Sequence, residues 1–94
     1  MIDDEFEWDD EKAERNLRIH NVSFAVARKV FDDPSALDWP DMSENYGEER
    51  FEIIGMSENR LIHVAYTVRR GRTRIISARL TEPWEKRIYH EQKP

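Results

Sequence analysis

Residues 60–79 read RLIHVAYTVRRGRTRIISAR, and this stretch decides the fold. Ile62, Val64, Tyr66 and Val68 alternate onto one face over Leu61–Val68, the period-two pattern of a half-buried strand. Arg70-Gly71-Arg72 makes a turn, and Arg74–Arg79 forms the next strand. Upstream, Arg50–Met56 is a further strand, joined to Leu61–Val68 by a turn at Ser57-Glu58-Asn59. Strands joined by such short turns form an antiparallel meander, one face of which needs helices to cover it.

Those helices flank the meander. Phe6-Glu7-Trp8 alternates as a short strand. Asp9 or Asp10 then caps a helix of about ten residues, supported by Glu11–Arg15 and Glu14–Arg18 at i,i+4 and ending at His20-Asn21. Its apolar stripe, Ala13 and Leu17, is weak. Ser23 caps a second helix through Phe31 that buries Phe24, Ala27, Val30 and Phe31. Asp33-Pro34 closes it, because the residue before proline is driven out of the helical region. Ala36–Trp39 reads as an edge strand stopped by Pro40, and 41–49 as a polar loop. Thr81 caps a final helix with Pro83 in its first turn, Trp84 and Ile88 as its core stripe and Glu85 with Tyr89 beside them. The order is β-α-α-β-β-β-β-α, an α+β domain spanning 1–94.

Composition bounds the function. Apolar residues make up 38% and charged ones 37% of the 94, against roughly 45–50% and ~25% in an average globular domain. The core is therefore thin, and a partner or a second copy of the chain is expected to cover apolar surface. There is no cysteine, which excludes disulfides and thiolate metal sites. The acidic opening MIDDEFEWDD carries no secretory signal, and no apolar run approaches the ~20 residues of a membrane span, so a cytoplasmic protein is expected.

The net charge of −5 hides a segregation. Residues 1–14 and 32–52 each carry eight acids and one base, whereas 60–81 carry six arginines and no acid. A phosphate responds to the near field, so this segment can serve nucleic acid although the whole chain is acidic. Simple pairing of the arginines with the acidic segments accounts for the same pattern.

Glycine-rich phosphate loops, HExxH and nucleophile elbows are all missing from the sequence, and His20, His63 and His90 are scattered. What remains is Lys12, His20, Arg50, Arg74, Arg79, Glu85 and Tyr89. This set suits RNA cleavage by attack of the 2′-OH on phosphorus. Arginine stabilises the pentacoordinate phosphorus, while His, Glu, Lys or Tyr move protons. Period two puts Ile75, Ser77 and Arg79 on one strand face and Arg74 on the other, so Arg74 and Arg79 act together only if the strand bends or ends before Arg79. Each residue also has a plainer role open to it. His20 can favour a helix dipole, Arg79–Glu85 can be a surface ion pair, and Tyr89 can be packing. His63, opposite the apolar face, reads as structural or solvated, and Trp8 and Trp84 as core or interface anchors.

Taken together, Phe6-x-Trp8-Asp9-x-x-Lys12-x-x-x-Asn16, His20-x-Val22-Ser23-Phe24-x-x-Ala27 and Val30-Phe31-Asp32-Asp33-Pro34 resemble the N-terminal signature of BrnT-type toxins. Glu49-Arg50 leading to Ile54-Gly55, the Arg74-Ile75-Ile76-Ser77-Ala78-Arg79 strand, and Glu85 with Tyr89 continue the likeness to about Glu91. The resemblance implies a RelE-like fold and the toxin half of a type II toxin–antitoxin pair, degrading RNA without metal or organic cofactor and arresting translation. It also implies a BrnA-like ribbon-helix-helix antitoxin, associated two with two, through which the complex represses its own operator DNA. The catalytic residues it implies are Arg79, His20, Glu85, Tyr89 and Lys12, with Arg50 and Arg74 holding substrate. The chain departs from the pattern at Ile19-His20-Asn21, Leu80, Pro83 and Trp84, each change removing positive charge. A second reading is therefore a catalytically weakened homologue that acts as antitoxin-binding partner and co-repressor, and a third is an unrelated α+β domain.

Overall fold

The computed structural model describes residues 1–43, 45 and 47–92. β1 (Phe6–Glu7) leads into α1 (Asp10–His20), whose N-terminus is capped by Asp9 accepting from the Glu11 and Lys12 amides at 2.8 and 3.1 Å. Asn21 ends α1 in the left-handed region, at φ 56°, with its amide bonded to Leu17 O. Glu14–Arg18 pairs at 3.6 Å as expected. α2 (Phe24–Arg28) is capped by Ser23 Oγ on the Val26 amide. It tightens into a 3-10 turn (Lys29–Asp32), so the helix expected through Phe31 loses its α geometry after Arg28. Asp33 is extended before Pro34.

β2 (Leu37–Pro40), β3 (Phe51–Ser57), β4 (Arg60–Arg69) and β5 (Arg72–Leu80) form the meander. Pro40 belongs to β2 rather than stopping it, which a proline tolerates on an edge strand. The hairpin turns are two-residue turns with positive φ at both positions, Glu58-Asn59 and Arg70-Gly71. The described residues between β2 and β3 carry neither helix nor strand, and positions 44 and 46 of the expected loop lie outside the description. The sheet order is β1-β5-β4-β3-β2. β1 runs parallel to β5, so the sheet is mixed rather than a pure antiparallel meander.

Register then sorts the faces, since paired residues in a ladder share one. Phe51, Ile53 and Gly55 stand beside Tyr66, Val64 and Ile62, and these beside Ile75, Ala78 and Leu80. With Phe6, Val22, Phe24, Ala27 and Val30, the side chains of this face other than the exposed Leu80 build the core under α1 and α2. Gly55 is obligatory there: a Cβ would sit 2.9 Å from Val30 Cγ1 and 3.1 Å from Ala36 Cβ. β4 and β5 lose step between Ala65 and Tyr66, because Ala65 pairs with Ser77 and Tyr66 with Ile75. Ile76 is the extra residue of a bulge. Consequently Arg74, Ser77 and Arg79 share the face away from the core, and Ile75 sits with Ala78 inside it. Strict period two placed these residues the other way.

β1 stops pairing at Arg74, which leaves the outer edge of β5 beyond it without a strand. α1 fills that edge through Asn16, whose amide donates to Ala78 O (2.8 Å) and Val22 O (2.9 Å) and accepts from Ala78 N (3.1 Å). One buried side chain thus replaces a strand's ladder bonds.

α3 (Pro83–His90) is capped by Glu82, not Thr81. Glu82 and Glu85 form a reciprocal capping box. The helix turns Glu85 inward, fully buried, and leaves Trp84 and Ile88 exposed, so the expected core stripe is the outer one.

Candidate functional site

The charged face of the sheet carries the site. Arg79 is the last outward-facing residue of β5, and the capping box of α3 delivers Glu85 beneath it. Glu85 Oε1 accepts from Arg79 Nη1 at 2.8 Å and from the Glu82 amide at 2.8 Å, and Oε2 accepts from Nη2 at 3.1 Å. Burial alone would raise the Glu85 carboxyl, but the Arg79 bonds, the Glu82 amide and the Arg79 charge hold it below its ordinary value. The Glu85 bonds in turn raise Arg79 against the opposing effect of burial. Arg79 Nη1 also donates to Leu80 O. Among the described residues this leaves Nε–H and one Nη2–H with no hydrogen-bond acceptor, on a side chain 31% exposed. That edge, with Glu82 Oε1 3.9 Å from Nη2, is a second donor fork, the geometry that grips a phosphate.

Register pairs His63 with Arg79. His63 Nε2 lies 2.7 Å from Glu52 Oε1 and 4.0 Å from Glu85 Oε2, and its buried Nδ1 has no hydrogen-bond partner among the described residues. Glu52 Oε2 accepts from Trp39 Nε1 at 3.0 Å. Sequence reasoning passed over Glu52, His63 and Trp39. The signal available was positional: His63 faces away from the apolar side of its strand, and Arg79 is its neighbour only through the turn and the bulge.

Of the other predicted residues, Lys12 and His20 come together. With Arg15, Asn16, Ile19 and Ile76 they line a recess of about 200 Å³ beside the β5 bulge. Among the described residues, Lys12, Arg15 and His20 make no ion pair. The structure draws the rest elsewhere. Arg74 pairs with Glu7 at 2.6 Å. Arg50 lies 3.5 Å from Glu48 and lines a recess with Pro40, Asp41 and Met42. The Tyr89 hydroxyl donates to Asp33 Oδ2 at 2.5 Å, and burial followed by that carboxylate pushes it up to about 12. Asp33 also accepts from the Met56 amide at 2.7 Å, so Tyr89 ties α3 to the sheet.

No group of three or more acidic, His or Cys side chains is arranged to hold a metal ion among the described residues. None of the described helices is long and apolar enough to cross a membrane.

The fold is an α+β sheet with an arginine anchored on one face and a basic recess at the edge of the same strand, and its class, small ribonuclease toxins of type II toxin–antitoxin systems, comes from sequence similarity. The family model for the ribonuclease toxin BrnT of such systems matches residues 8–85, and the chain belongs to that family. None of the curated proteins compared matches it. Type II membership brings with it an antitoxin as partner and RNA as substrate.

Proposed function

We propose that the protein cleaves RNA by 2′-OH attack, with side chains supplying the whole of the acid–base and charge chemistry, and that Arg79 holds the phosphate undergoing attack. The observation that carries this reading is the anchored guanidinium: one fork is spent on a fully buried carboxylate and the other is turned outward. Such fixed donors stabilise charge that develops on phosphorus without reorganising during the reaction. Glu85, with both oxygens occupied and no solvent access, orients Arg79 and moves no proton. His20 is the proton-transfer residue, and Lys12 adds positive charge in the same recess. Tyr89 positions α3. Arg74, on the face of Arg79 but neutralised by Glu7, and Arg50 guide the flanking backbone. The RNA runs along the α1–β5 seam between recess and guanidinium. Cleavage arrests translation in the cytoplasm until a BrnA-like ribbon-helix-helix antitoxin, two bound to two toxins, covers the site and represses the operon.

A second reading has its own observation. Glu85, Glu82 and Glu52 all act on Arg79, while its neighbours Leu80 and Trp84 are apolar and exposed. Three carboxylates weaken the field that RNA would feel, which suits a homologue kept for antitoxin binding and co-repression.

The test uses purified, antitoxin-free protein. Cleavage of RNA in EDTA that disappears in Arg79→Ala and is depressed in His20→Ala supports the ribonuclease. A wild-type protein that leaves RNA intact yet binds its antitoxin supports the second reading. Undiminished cleavage by Arg79→Ala removes Arg79 from the mechanism.

A further inference from the structure

Two indoles stand outside the roles described so far. Trp84 opens α3 one residue before Glu85 and is 44% exposed. Trp39, on β2, packs against it with centroids 6.4 Å apart and planes tilted by 47°. Neither ring belongs to the core under α1 and α2. Both N–H groups are occupied: Trp84 Nε1 donates to Glu82 Oε2 at 3.2 Å and Trp39 Nε1 to Glu52 Oε2 at 3.0 Å.

The same two carboxylates lead back to Arg79. Glu82 Oε1 is 3.9 Å from Arg79 Nη2, and Glu52 Oε1 meets His63, which adjoins Glu85. The polar edges of both rings are thus turned into the network that holds the guanidinium. The 44% exposed Trp84 stands one carboxylate's width, that of Glu82, from the arginine proposed to bind phosphate. Indole rings fixed by their N–H, beside a cation and open to water, are the arrangement on which single-stranded nucleic acid stacks its bases.

We propose that Trp84, backed by Trp39, is a stacking subsite for one unpaired nucleobase of the RNA strand whose phosphate Arg79 holds. The inference rests on the reading of Arg79 given above. A base enters only if it is unstacked from its own strand, so the subsite selects single-stranded RNA. Because the nearby carboxylates are engaged by the indoles, Arg79 and His63, the subsite grades bases by stacking strength rather than by hydrogen-bonded identity.

The experiment titrates the full chain, antitoxin-free, with a short 2′-O-methyl RNA that cannot undergo 2′-OH attack, following tryptophan fluorescence and measuring affinity by anisotropy of a labelled strand. Trp84→Ala, which keeps Trp8 and Trp39, supplies the background signal. Wild type is quenched. Trp84→Ala binds about 5- to 160-fold more weakly, the factor a lost base–aromatic stack produces, while Trp84→Phe retains most of the affinity. An RNA with one abasic position weakens binding to wild type and not to Trp84→Ala, which separates stacking from any loss of fold. Equal affinity of wild type and Trp84→Ala, with Arg79→Ala still impaired, overturns the subsite and leaves the phosphate reading standing. If wild type does not bind the strand, the phosphate reading falls and the subsite with it. Quenching of Trp84 by the antitoxin alone, with no response to RNA, gives the indoles to that partner and overturns the subsite.

Discussion

Replacing Glu85 by Gln tests the anchoring of Arg79 most directly. The change is nearly isosteric, so it removes charge and one acceptor without opening a cavity. It leaves the Arg79 charge facing an amide and turns an N–H group toward donors that the carboxylate now satisfies at 2.8, 2.8 and 3.1 Å. Breaking one side of a fully buried pair costs ~3–5 kcal/mol. Arg79 is 31% exposed, and water takes up part of its charge, so the expected loss is about 2 kcal/mol. In a domain of this size that is a fall in Tm of roughly 8–16 °C. The pH dependence has a definite sign. The folded-state carboxyl lies below its ordinary value of 4.5. Its contribution is therefore full above that value and is lost as pH falls through the folded-state pKa. Melts followed by circular dichroism from pH 7 to pH 3 should show the gap between wild type and Glu85→Gln widest at neutrality and closing in acid. A variant melting within about 2 °C of wild type at pH 7, or a gap unchanged at pH 3, refutes the anchoring argument.

Other outcomes follow from the same geometry. Asn16→Ala leaves the Ala78 amide and carbonyl and Val22 O without their partner, and urea denaturation should register about 2–4 kcal/mol of lost stability. Tyr89→Phe removes the bond to Asp33 and should destabilise by about 1–2 kcal/mol, with RNA cleavage little changed; a large loss of cleavage at unchanged stability would give Tyr89 a direct role on substrate. Because Tyr66 and Tyr89 are both held at about 12 in the folded protein, stability should fall as pH rises from 10 toward 12, and less steeply in Tyr89→Phe when followed by urea titration. Gly55→Ala drives a methyl into Val30 and Ala36 and should cost about 1–3 kcal/mol in the same measurement.

Much of the architecture was legible in local pattern. The Asp9 and Ser23 caps, both hairpin turns and the alternation of Ile62, Val64 and Tyr66 are short-range chemistry, and each appears where its residues put it. The orientation of α3 was not legible. Trp84 and Ile88 look like the buried stripe because apolar side chains normally are, yet the helix buries Glu85 instead. A partner 6 positions back, Arg79, meets that carboxylate with two hydrogen bonds, and this outweighs the usual preference.

The site divides along the same line. Arg79 with Glu85, and Lys12 with His20, are near neighbours in chain or helix, so a reading of the sequence could pair them. Glu52, His63 and Trp39 reach the same cluster only through strand pairing, and no spacing along the chain announces it. Residue types, capping and alternation determined by themselves an α+β chain with an arginine-rich, acid-free strand pair and the BrnT signature. The tertiary structure alone decided which face those arginines occupy. One extra residue at Ile76 reverses the side-chain parity of β5, because a strand has a period of two and a single bulge shifts everything on one side of it to the opposite face.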